Sequence, residues 1–79
     1  RMTQLIDDVL RAKRESDKAF LTLIEVHKRL CTKKQCKDID KVLAKTRLVD
    51  KIADVLQTHV RENHLTDDDY MKERKNMGL

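Results

Sequence analysis

DKAFLTLIEVHKRL, residues 17–30, is the stretch on which the fold turns. Ala19, Phe20, Leu23, Ile24, His27 and Leu30 recur at three- and four-residue intervals, the spacing of one helix face. Leu21 and Val26 widen that stripe beyond what a surface helix needs, which predicts a central helix from Asp17 to Leu30. Ser16 stands where an N-cap accepts an orphan amide, and Asp17 favours the positive end of the helix dipole.

Upstream, Met2, Leu5, Ile6, Val9 and Leu10 follow the i, i+3, i+4, i+7, i+8 pattern of a first helix with one apolar face. Downstream, CTKKQCKD (residues 31–38) reads as a polar joint. Thr32 and Gln35 have capping-box spacing, and Asp38 is a second cap candidate. A short helix over 38–45 would bury Ile39, Val42 and Leu43. Thr46 is placed to cap another helix, from Arg47 to about Arg61, with Leu48, Val49, Ile52, Ala53, Val55, Leu56 and Val60 on its apolar side. Thr66-x-x-Asp69 is a further capping-box spacing, with Asp67 and Asp68 in the first turn. Only Tyr70, Met71 and Met77 offer this last helix apolar contacts, so residues 62–79 are expected to form a marginal or frayed element. No strand-like alternation competes. The reading is all-α: a compact bundle of four to five short helices, a single interaction domain over residues 1–79.

Composition removes several classes. One Gly and no Pro exclude Gly-rich phosphate loops, and no apolar run nears the ~20 residues that span a bilayer. The first residue is Arg1 rather than Met, which suggests a piece of a longer protein. The net charge of +4 is uneven. Residues 28–47 carry eight bases (Lys28, Arg29, Lys33, Lys34, Lys37, Lys41, Lys45, Arg47) against Asp38 and Asp40, a local +6 that leaves −2 for the rest. Such a stretch attracts phosphates or an acidic peptide.

The residues that carry chemistry are few. His27, Cys31 and Cys36 have His-x3-Cys-x4-Cys spacing, three soft ligands where a structural zinc site uses four. The fourth would have to come from His59 or His64, on unrelated elements, so the residues are read as two reduced thiols and a packed histidine, with no metal and no cofactor. Cys31 with His27 lacks a third, orienting group and an oxyanion site, so no enzyme is expected. The Asp67–Asp69 run lacks the alternation, central Gly and closing Glu of a calcium loop. Too few aromatics remain for base stacking, and Asp50 and Asp54 oppose insertion of their helix into a DNA groove.

Leu43-Ala44-Lys45-Thr46-Arg47-Leu48, followed by Ile52 and Val55, resembles the TFIIS N-terminal domain family, which includes the elongin A and Mediator modules and the integrase-binding domain of LEDGF. Val42 and Leu43 match its leading pair, and Ala19-Phe20 through Leu23, Glu25 and Val26 look like its second helix. The joint at 31–38 is longer than the family's and lacks its Pro, and the segment after Val60 is more polar. The resemblance implies a compact helical bundle in a nuclear transcription or chromatin protein. It implies docking of short disordered peptides, through an apolar anchor with acidic flanks, against the loops that join helices. By position, those loops are Glu15, Ser16 and Asp17, and His64, Leu65 and Thr66. Lys33, Lys34 and Lys37 would receive the acidic flank. Leu65 also reads as a hydrophobic staple of the last helix. The sequence thus predicts a monomeric, non-enzymatic peptide-binding module of the nucleus, with no membrane contact. A basic helical module touching DNA or RNA phosphates is the alternative.

Overall fold

The computed structural model describes residues 4–46 and 48–79. Five helices follow one another: α1 (Gln4–Glu15), α2 (Asp17–Arg29), α3 (Lys33–Lys45), α4 (Val49–Glu62) and α5 (Asp67–Asn76). Met2 of the first stripe and Arg47, the expected start of the fourth helix, lie outside the described residues. α1 is the hub. It packs most closely on α2, and also on α4 and α5, while α3 lies on α4. The expectation of a central α2 is half met. Phe20, Leu23, Ile24, Val26 and His27 are buried, but Leu21 faces solvent.

One core joins Leu5, Val9 and Ala12 of α1, the α2 residues, Ile39, Ile52, Leu56 and Val60, and Tyr70. The caps fix where each helix starts. Ser16 Oγ accepts Ala19 N–H at 3.1 Å, so α1 and α2 are joined by one residue. Thr32 and Gln35 form a full capping box, which starts α3 at Lys33, five residues before Asp38. The polar joint is therefore largely helix, and Asp38 lies inside α3 rather than capping it. Gln35 is buried because its Oε1 also accepts Asn63 Nδ2 at 2.7 Å, tying the start of α3 to the end of α4. Thr46 does not cap α4. Its Oγ1 accepts Leu48 N–H, and Leu48 is the N-cap residue with no side-chain bond of its own.

Two helix ends share one device. Leu65 N–H reaches Val60 O at 3.0 Å and His64 N–H reaches Arg61 O, the paired bonds of a Schellman motif, with His64 at φ 52°. At the end of α5, Leu79 N–H reaches Arg74 O and Gly78 N–H reaches Lys75 O, with Gly78 at φ 77°. The chain's single glycine thus occupies the left-handed position that folds Leu79 back along α5. His64 occupies the equivalent position with a Cβ, at a cost of roughly 1 kcal/mol. His64→Gly should therefore raise the unfolding free energy by roughly 1 kcal/mol in urea titration. An unchanged or lower midpoint would show that His64 makes a compensating contact.

α5 is anchored more firmly than its composition suggests. Tyr70 is wholly buried, Met77 packs against the core and Arg29 pairs with Glu73 at 2.7 Å. Thr66 and Asp69 complete the helix's capping box, and Gln4 N–H donates to Asp67 Oδ1 at 3.1 Å. The Thr66 amide and hydroxyl hold the Asp69 carboxyl below its ordinary range.

Candidate functional site

Four places bring chemistry-bearing residues together, and the first is a buried carboxylate. Asp8 falls on the inward face of α1, three residues after Leu5, and is 4% exposed. Its oxygens accept Gln4 Nε2 at 2.9 Å, Arg11 Nη2 at 2.8 Å, Tyr70 OH at 2.6 Å and Arg74 Nη1 at 3.4 Å. Burial, reinforced by this carboxylate, pushes the Tyr70 phenol above its ordinary pKa, so it stays a donor. The sequence reading overlooked Asp8. A charged residue at a core-facing helical position was the available signal, since such a charge needs partners.

The second is an open groove of about 440 Å³ where the α1–α2 turn meets the end of α5. Ala12, Ala19, Leu23 and Leu79 give it an apolar lining, and Arg11, Lys18 and Arg74 bring positive charge, with Glu15 and Ser16 at the turn. Two residues of the first predicted loop are therefore on it. Asp17, the third, pairs with Lys13 at 2.5 Å. Leu79 reaches the groove through the Schellman turn at Gly78, a backbone consequence that apolar periodicity does not report.

The second predicted loop stands elsewhere. The contact of Gln4 with Asp67 puts it at the N-terminal end of α1, whereas Glu15 and Ser16 are at the C-terminal end of that 12-residue helix. About 16 Å of helix separates the two ends. Within this loop His64 is exposed, Thr66 is committed to its cap, and Leu65 packs on the core as part of the Schellman turn and the α5 start. The bond from Asn63 to Gln35 keeps the loop beside the start of α3, near Lys33, Lys34 and Lys37. The structure joins these lysines to the second loop and not to the first.

The third is a row of cations. Lys33, Lys37, Lys41 and Lys45 follow one another at i+4 along α3, with Lys34 beside them, all exposed. None forms an ion pair among the described residues, whereas Lys28 pairs with Asp40 and Arg29 with Glu73.

The fourth lies between α2 and α4. His27 and His59 are buried and stack with their rings 5.6 Å apart. His27 Nε2 is 3.4 Å from His59 Nδ1 and 3.1 Å from Cys31 Sγ. Burial, and then the neighbouring His59, pull the His27 pKa down to about 4. Burial, with Cys36 and Glu62 adding, pushes the Cys31 thiol up to about 12. That is the reverse of an activated nucleophile. Both cysteines are free, and Cys36 donates to Lys28 O at 3.2 Å.

No family model matches this chain, nor does any curated protein or solved structure. Among the described residues, no helix is long and apolar enough to cross a membrane.

Proposed function

We propose that this bundle is a non-enzymatic interaction module that docks a short acidic-hydrophobic peptide in the groove at the α1–α2 turn. The observation that carries the reading is the make-up of that groove, apolar along Ala12, Ala19, Leu23 and Leu79 and cationic at Arg11, Lys18 and Arg74. One apolar anchor on the floor supplies affinity, and acidic flanks on the rim supply orientation and on-rate. The arginines are held in place by Asp8, so a peptide carboxylate meets donors that are already ordered. The resemblance to the TFIIS N-terminal family supports the same activity. It suggests a nuclear protein of transcription or chromatin as the parent, with disordered partners.

Fluorescence anisotropy with a labelled peptide, one Phe flanked by Asp and Glu, tests this. Lys18→Glu reverses a rim charge and Leu79→Asp places a charge against the floor, both at exposed positions. Each should weaken binding by about tenfold, the equivalent of 1.4 kcal/mol. Unchanged affinity in both variants would remove the groove from consideration.

The lysine row of α3 favours a second reading, contact with nucleic-acid phosphates. Under that reading duplex DNA binds with a steep salt dependence, and Lys37→Glu with Lys41→Glu abolishes it.

A further inference from the structure

We propose that His27, Cys31 and His59 form a zinc-binding site that clips the end of α2 to α4. Their ligand atoms lie within 4.8 Å of one another, and they are the metal-competent cluster found among the described residues. A tetrahedral zinc ion with Zn–N near 2.05 Å sets neighbouring nitrogens about 3.3 Å apart. His27 Nε2 and His59 Nδ1 are 3.4 Å apart. With Zn–S at 2.3 Å, the same geometry sets N and S about 3.5 Å apart. Cys31 Sγ stands 3.1 Å from His27 Nε2, so a small rotation of its side chain completes that edge.

Hydrogen bonds alone leave this cluster unmatched. An imidazole nitrogen carries either one proton or one lone pair. With its proton on Nδ1, His27 has a buried donor without an acceptor, and Nε2 accepts from Cys31 or from His59 but not both. With the proton on Nε2, the buried Nδ1 lone pair is unmet. A cation where His27 Nε2, His59 Nδ1 and Cys31 Sγ converge takes all three lone pairs at once, while His27 Nδ1 keeps its proton and stays unpaired. His59 turns its other nitrogen, Nε2, toward the Asp38 carboxylate at 3.9 Å, beyond hydrogen-bond reach, so Asp38 must move closer to orient a metal-bound His59. Soft sulfur with two imidazoles selects zinc over magnesium or calcium.

The sequence offered Cys36 as the third ligand and His59 or His64 only as a fourth. The structure instead brings in His59, 32 residues from His27, while Cys36 bonds to a backbone carbonyl. Three protein ligands leave the fourth tetrahedral position to water. On binding, Cys31 becomes a thiolate and its proton passes to the solvent, so one proton is released per ion.

Metal-free protein titrated with cobalt(II), then zinc, tests the site. Cobalt should saturate at one equivalent with a thiolate-to-cobalt charge-transfer band and the strong visible bands of four-coordinate geometry. Zinc should displace it. At about 100 times its Kd, zinc should raise the thermal midpoint by about 11–22 °C. Cys31→Ser should lose the charge-transfer band and weaken zinc binding at least tenfold. His59→Gln should weaken it similarly, with circular dichroism of the metal-free variant confirming its fold. Cys36→Ser should leave band and affinity intact. The proposal fails if no saturable one-to-one binding occurs. It fails equally if the folded Cys31→Ser variant binds zinc as the parent does, or if the band follows Cys36 instead.

Discussion

Asp8→Ala lowers the unfolding free energy by about 3–5 kcal/mol, the usual cost of removing one partner from a buried charged network. Four groups converge on this carboxylate, and two of them, Tyr70 and Arg74, belong to α5. Without it the Tyr70 hydroxyl is buried with no acceptor, and the Arg74 guanidinium loses the partner that holds it over the Tyr70 ring. The loss is a large share of the 5–15 kcal/mol typical of a folded domain. For a chain this short, the thermal midpoint should fall by about 12–40 °C. Tyr70→Phe removes one hydrogen bond and keeps the arginines paired, so it should cost less, about 1–3 kcal/mol. Chemical denaturation followed by circular dichroism checks both. An Asp8→Ala variant within 1 kcal/mol of the parent would mean that α5 is held without help from the Asp8 network.

The second large effect lies in the core. Leu56 is fully buried on α4, within the cluster that joins the helices. Leu56→Ala should cost about 3–5 kcal/mol, the transfer term plus the cavity left when neighbouring helices only partly collapse. Leu21→Ala, on the solvent side of α2, should change stability by less than about 0.5 kcal/mol. Equal losses at the two positions would contradict this packing.

What the sequence disclosed was local. Ser16, Thr32 with Gln35, and Thr66 with Asp69 act within three residues of themselves, so their spacing shows them without knowledge of the fold. The same locality misled at residues 32–38. No apolar residue marks the first turn of α3, and the bond that buries Gln35 comes from Asn63, 28 residues on. Asp8 is similar: its position shows a charge facing inward, but two of its four partners are more than 60 residues away. The groove was half visible. Glu15 and Ser16 follow from the turn between two helices, while Arg74 and Leu79 reach it through the packing of α5 on α1 and α2 and the turn at Gly78. His59 joins His27 through the packing of α2 near α4, which no sequence interval records.

Chemical-shift mapping locates where the peptide docks. Amide resonances of the 79-residue chain are followed as the acidic Phe-containing peptide is added. Saturable shifts should centre on Arg11, Glu15, Ser16, Lys18, Thr22 and Arg74, around the α1–α2 groove. Shifts confined to Lys33–Lys45 of α3, or no saturable shifts at all, would contradict docking in that groove.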